Sequence, residues 1–447
     1  MKAARQEAGL SLAQVAGTRV TRAAIHQVET GRARPSRRTL ALIASRTGKP
    51  LEFFLEAEAA PGGAVSEPKA IDPRLAEIES LLASSRFRAA LPLARKLLSK
   101  TAGSDPAMLA RVRLRLAQAQ VETGDAPAAL EHLRAANDFL AGAGETELLV
   151  ECLDARGLAL KRLENPDAMA TYNEALRLCR QARGVRKDLE ARILGHIGAA
   201  YTSTHDWDSA VRYYEMALEA AGNLRDLSFL ERMYNDIGLA EMEARNLTSA
   251  FGYFQKALTL AEVAKEPSVI ARLENNIGWV LVGLGELDSA EAHLGRSLEI
   301  CESIGLEVGR GHVMCSLAEL AIARRDAGQA EVFIKTALEV TSRIGEKLTE
   351  ADALQLAGQV AEMRNQRDAA DDYFERALAV LREQGASQRL MECHVAYATI
   401  LEERGDLPGA LAHTNSALLV ARPQLHVGRS VGTARGRATA SWQQASG

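Results

Sequence analysis

Residues 198–217, GAAYTSTHDWDSAVRYYEMA, are answered 40 residues later by GLAEMEARNLTSAFGYFQKA at 238–257, and again by GWVLVGLGELDSAEAHLGRS at 278–297. Ala210, Ala250, Ala290, Ala330, Ala370 and Ala410 keep this step. Twelve residues before each stands a small residue: Gly198, Gly238, Gly278, Ala318, Gly358 and Ala398. Four after come Tyr214, Phe254, Leu294, Ile334, Phe374 and Thr414. Seven after come Ala217, Ala257, Ser297, Ala337, Ala377 and Ala417. Looser copies anchored on Ala90, Ala129 and Ala168 bring the count to nine. Small residues twelve apart let the two helices of a hairpin approach closely, and the large residue four further on is expected to fill the groove of the next helix. Gly124-Asp125, Asn165-Pro166-Asp167, Gly285-Glu286, Arg325-Asp326 and Gly405-Asp406 supply the turns. The pattern predicts an all-α solenoid of about nine repeats over residues 74–421.

This register resembles the tetratricopeptide repeat, a helical hairpin stacked into a right-handed superhelix. Its period departs from that family's 34 residues, which predicts longer second helices or longer turns between repeats. In such stacks the first helix of each hairpin lines the concave face. Counting from the small residue, positions six before, three before and one after are expected to point inward. Six before gives Arg111, Arg192, Arg232 and Arg272; three before gives Asn235 and Asn275; one after gives Gln118, Leu239 and Trp279. Asn amides suit the backbone of a peptide and Arg its carboxylates, and the resemblance adds that peptide-binding repeat proteins place Asn on this face. Arg192, Arg232, Asn235, Arg272, Asn275 and Trp279 are therefore the candidate groove for a peptide or protein effector. The alternative is that these arginines pair with Glu231, Asp236 and Glu274 on a solvated face.

Upstream, residues 10–43, LSLAQVAGTRVTRAAIHQVETGRARPSRRTLALI, read as short helices separated by Gly17-Thr18-Arg19 and ended by Gly31. With a helix at 2–8 and another at 51–55 they make a five-helix head over residues 1–56. The run resembles the helix-turn-helix of Cro/repressor-type (XRE) bacterial regulators, most specifically in Ile25, Val28, Glu29, Gly31, Pro35 and Ser36. The resemblance implies that the helix from Arg22 enters the major groove of double-stranded DNA with Arg22, Ala23, His26 and Gln27 at base edges. Arg32, Arg34, Arg37 and Arg38 then fall where phosphates are met, and Arg5 with Glu29 forms an internal ion pair.

Charge divides along the same line. Residues 1–50 hold ten Lys and Arg against two acidic residues, while the remainder holds 44 against 56, giving −4 in all. A basic head on an acidic body predicts that the head alone meets a polyanion. Residues 57–73 contain three prolines and two glycines and read as a linker. Residues 422–447 carry four Arg and no acidic residue and read as a disordered basic tail.

Other classes lack their signatures. Five cysteines without a CxxC pair predict buried thiols, with no disulfide framework and no metal site. There is no phosphate-binding glycine loop, no GxSxG and no HExxH, so neither catalysis nor a cofactor is expected. No apolar run approaches membrane-spanning length and no secretory leader opens the chain, which predicts a cytoplasmic protein. The sequence expectation is a bacterial, dimeric, DNA-binding transcription regulator with an effector-sensing solenoid; the competing expectation is a repeat scaffold whose head only tethers it.

Overall fold

The computed structural model describes residues 5, 8–16, 25, 29, 37–49, 72–101, 105–182, 186–222 and 226–427. The chain divides into two compact units that part between Pro73 and Arg74. Among the described residues every regular element is a helix.

In the first unit, α1 spans Leu12–Ala16 and α2 spans Arg37–Thr47. Ser11 and Gln14 cap α1 reciprocally: the Gln14 amide donates to Ser11 Oγ at 3.2 Å and the Ser11 amide to Gln14 Oε1 at 2.8 Å. Arg46, in the last turn of α2, donates to the Gln14 carbonyl at 2.7 Å and so serves the open C-terminal end of α1. Val15, Ala16, Ile25, Ile43 and Ala44 form the core. Arg5 and Glu29 make a two-pronged ion pair, Nε–Oε1 2.7 Å and Nη2–Oε2 3.0 Å, as the resemblance implied. The remaining helices expected for the head lie outside the described residues.

The second unit is a run of hairpins: α3 (Pro73–Ala83) with α4 (Phe87–Thr101), α5 (Pro106–Glu122) with α6 (Ala126–Ala143), and α7 (Thr146–Arg162) with α8 (Asp167–Gln181). Then come α9 (Lys187–Ser203) with α10 (Trp207–Ala221), α11 (Leu227–Glu243) with α12 (Leu247–Ala264), and α13 (Pro267–Leu284) with α14 (Leu287–Ser303). Last are α15 (Glu307–Ala323) with α16 (Ala327–Ile344), α17 (Lys347–Met363) with α18 (Arg367–Glu383), and α19 (Ser387–Glu403) with α20 (Leu407–Val427). The final helix continues beyond Ala421, where the sequence period breaks, to Val427.

Length is shared between the helices. The first and second helices of α15–α16 hold 17 and 18 residues, and their turns are short. The extra residues over the 34-residue repeat therefore do not sit in the second helices or the turns alone, as the sequence had suggested. Each turn inside a hairpin has a residue of positive φ followed by a capping position: Gly285 (φ 79°) before Glu286, and Arg325 (φ 59°) before Asp326. Asp326 donates its amide to the Ala321 carbonyl at 2.9 Å and accepts from the Gln329 amide at 2.9 Å, closing one helix and opening the next.

The small-to-large spacing closes the hairpin from within. A Cβ built on Gly198 would lie 2.7 Å from the Tyr214 ring, and one on Gly278 would lie 2.6 Å from Leu294. The large residue thus fills the space above the small residue of its own hairpin, rather than the groove of the next helix. Tyr214, Phe254, Leu294 and Phe374 are buried there, each contributing about 2–3 kcal/mol of apolar burial. On the turn edge, Arg324–Glu291 (2.8 Å), Arg364–Glu331 (2.6 Å) and Arg404–Asp371 (2.6 Å) tie each hairpin to the one before. All five cysteines are buried and unpaired.

Candidate functional site

First helices of neighbouring hairpins touch one another along much of the stack: α5 with α7, α7 with α9, α9 with α11, α13 with α15, and α15 with α17. Second helices come into no comparable contact, so the first helices form the inner wall. Along α11 the accessible and half-buried positions include Ser228, Arg232, Asp236, Leu239 and Glu243, a stripe stepping three or four residues along one side of the helix, with Leu227, Leu230, Tyr234, Glu241 and Met242 half-buried beside it. The equivalent stripe on α13 is Ser268, Arg272, Asn275 with Asn276, and Trp279.

The sequence-predicted groove residues divide by register. Six before the small residue, Arg232 and Arg272 are exposed and Arg192 is half-buried. One after it, Trp279 and Leu239 are half-buried. Three before it the expectation fails for Asn235, which is only 2% exposed, because that position leans between adjacent helices; Asn275 keeps partial access. The position that opens inward is two before, filled by His196, Asp236 and Asn276.

Two of the three arginines are held by carboxylates of the preceding first helix. Arg192 Nε lies 2.9 Å from Asp154 Oδ2, and His196 Nδ1 lies 2.6 Å from Asp154 Oδ1. Burial raises the proton affinity of Asp154, but His196 and Arg192 outweigh it and hold the carboxyl below its ordinary range. Arg272 Nη2 lies 3.1 Å from Glu231 Oε1, and burial pushes the Glu231 carboxyl up. Of the two other carboxylates expected to pair with arginines, Glu274 is met from its own hairpin by His293 Nδ1 (2.5 Å) and Arg296 Nη2 (3.0 Å). Asp236 accepts from Asn235 Nδ2 at 3.1 Å. Its carboxyl is pushed up by burial, against the pull of that amide, Arg232, Arg272 and Lys161.

Arg192 Nη2, Asn235 Oδ1 and Asn275 Oδ1 are buried without a hydrogen-bond partner, as are Gln120 Oε1 and Arg310 Nε on other first helices. A buried amide oxygen left unpaired costs about 1–3 kcal/mol. Further along, Glu319 lies beside Trp279 and Asp352; burial pushes its carboxyl up to about 7, with the Trp279 side chain opposing. Asp352, 2.8 Å from Arg389, is pushed up to about 6 by burial.

Of the residues assigned to DNA, Arg22, Ala23, His26, Gln27, Arg32 and Arg34 lie outside the described residues. Arg37 and Arg38 open α2. The sequence reading missed Asp154, His196 and Glu319. The inward register at two before was visible in the 40-residue step, but Asp154 belongs to a copy whose spacing slips by one and gave no signal.

Residues 149–223 and 229–303 match the family profile described as Tetratricopeptide repeat, and residues 1–54 match that described as Helix-turn-helix. The comparison with curated proteins finds no match. Among solved structures the fold is similar to the apo form of RapI, at TM-score 0.65 and 14% identity over 80% of this chain and 98% of that one. It is similar also to the apo form of the quorum sensor NprR from B. thuringiensis, at 0.59 and 14% over 78% and 97%. A third is a Rap protein complexed with Competence and Sporulation Factor, at 0.59 and 13% over 79% and 98%. The chain thus carries a helix-turn-helix segment ahead of tetratricopeptide repeats. Among the described residues no helix is long and apolar enough to cross a membrane.

Proposed function

We propose that this chain is a bacterial, cytoplasmic, sequence-specific DNA-binding transcription regulator, acting as a homodimer, whose solenoid binds a peptide effector. The observation that carries the reading is a helix-turn-helix match at residues 1–54 on the same chain as an inner wall bearing unpartnered Arg192, Asn235 and Asn275 atoms. The names of two similar folds, a quorum sensor and a Rap protein complexed with Competence and Sporulation Factor, support a signalling role. We divide the chain into a DNA-reading head at 1–56, a linker at 57–73, a sensing solenoid at 74–421 and a basic tail at 422–447.

In this reading Arg22 pairs with guanine O6 and N7, Gln27 with adenine N6 and N7, and Ala23 and His26 lie beside them. Arg32, Arg34, Arg37 and Arg38 hold phosphates, while the acidic solenoid stays off the duplex. One small head binds weakly, so two heads on a two-fold site are required. A ligand along the inner wall changes the pitch of the stack, and with it the separation of the heads.

The test is selection of genomic fragments by the intact protein, followed by titration of salt. The reading expects selective binding that weakens with salt and loses about 1–3 kcal/mol in Arg22→Ala. Binding without selectivity, or none, makes the chain an interaction scaffold.

A further inference from the structure

One residue per inner helix occupies the same turn at strict 40-residue steps: Arg192 on α9, Arg232 on α11, Arg272 on α13, His312 on α15, Asp352 on α17 and Glu392 on α19. All six keep solvent access. The sign reverses midway, with three cations, a histidine, then two carboxylates.

The surroundings sharpen this order at the acidic end. Glu319 and Glu346 lie beside Asp352 or its partners, and Arg389 is the cation that faces them. Glu392 on α19 is close enough to Glu243 on α11 to push that carboxyl up, beyond the effect of burial, so carboxylates from separated hairpins converge. At the basic end Lys161 is near Asp236; Asp154 and Glu231 take Arg192 and Arg272. Among the described residues Arg232 makes no hydrogen bond or ion pair, its charge acting on Asp236, and Arg192 Nη2 stays unpartnered. Asn235, 98% buried with its Oδ1 unpaired, lies one turn from Arg232. A solvated face gains by interleaving opposite charges. Asp154, Glu231 and Arg389 already take Arg192, Arg272 and Asp352, so the field along the channel is carried chiefly by Arg232 at one end and by Glu392 with its carboxylate neighbours at the other, complementary to a chain that is cationic at one end and anionic at the other.

We propose that the channel takes a linear peptide in one direction only. Its C-terminal carboxylate and acidic side chains lie on Arg192, Arg232 and Arg272, and its N-terminal ammonium or a basic side chain lies on Asp352 and Glu392. This rests on the channel being the effector site. Packed first helices lie about 8–10 Å apart, so the two packed steps from Arg272 on α13 to Asp352 on α17 span about 18 Å. An extended chain covers about 3.3 Å per residue, so an octapeptide is long enough to reach both ends.

The experiment is affinity selection by the full chain from a soluble library of random octapeptides with free termini, sequenced by mass spectrometry. Acidic residues are expected at least fivefold over basic ones in the last three positions, and the reverse in the first three. Arg232→Gln with Glu392→Gln, both at exposed positions, flattens the bias, with helix content checked by circular dichroism. If the four-fold exchange of Arg232 and Arg272 to Glu with Asp352 and Glu392 to Lys folds, it inverts the bias. Recovered peptides without positional charge bias, with the opposite bias, or with a bias unchanged in the neutral pair overturn the orientation while leaving the groove intact. Recovery of no peptide above background removes the groove itself.

Discussion

Phe254 fills the space that a side chain on Gly238 would need: a Cβ there would lie 2.6 Å from Phe254 Cε1 and 2.7 Å from Cδ1. The repeat shows the rule for this pairing. Where the first helix has glycine, the second brings Tyr172, Tyr214, Phe254, Leu294 or Phe374. Where it has Ala318, the partner is the β-branched Ile334.

Gly238→Ala gains up to about 1 kcal/mol of helix propensity but meets the ring, and overpacking costs about 1–3 kcal/mol. The variant is expected to lose about 1 kcal/mol in urea unfolding. Adding Phe254→Ile, which copies the Ala318–Ile334 pair, should recover part of that loss. A double variant weaker than the sum of the singles means the two residues do not share this space.

Asp154 is buried between Arg192 and His196. Its folded-state proton affinity is lowered, so its contribution is present above the ordinary carboxylate range and lost as pH falls through the folded value. Asp154→Asn leaves Arg192 unpaired and is expected to cost about 3 kcal/mol at neutral pH. It should also flatten the acid limb of stability below about pH 4. An unchanged acid limb rules out this carboxylate as its source.

Glu319 carries the opposite sign. Its carboxyl is raised to about 7, so the folded state binds more protons than the unfolded one between about pH 4.3 and 7, and stability falls across that window. Glu319→Gln is expected to be more stable than the parent at pH 8, by about 3 kcal/mol, and equal to it near pH 4.5. Denaturation midpoints at the two pH values decide the matter.

Arg5 and Glu29 bind the head across 24 residues of chain through two hydrogen bonds. Arg5→Ala should abolish selective DNA binding by unfolding the head while the helical signal of the solenoid survives. Loss of both together means the units do not fold separately.

The hairpins were legible because glycine and a large partner are bound to one distance, and geometry repeats wherever that pair does. The buried cysteines were legible from their lack of paired spacing, and the Arg5–Glu29 pair, 24 residues apart, was legible only through the resemblance. The inner wall was legible only to within a residue. Helices lean, so Asn235 turns into the stack while Asp236 opens out, and a period alone does not fix that rotation. His312, Asp352 and Glu392 lay on the counted register but carry chemistry unlike arginine, and their meaning emerged only with the wall assembled. The base-contacting residues rest on resemblance, since no local packing rule distinguishes a side chain that reads DNA from one that faces water.

The central claim is that a guest in the channel governs the head. Its most direct measurement is the affinity of the intact protein for a selected DNA site, with and without a saturating peptide recovered from the channel. The account predicts a change of about 5–150-fold, the usual range of coupling between sites, that disappears in Arg232→Gln with Asn275→Ala. Identical affinity with and without peptide, at peptide concentrations that fill the channel, contradicts it.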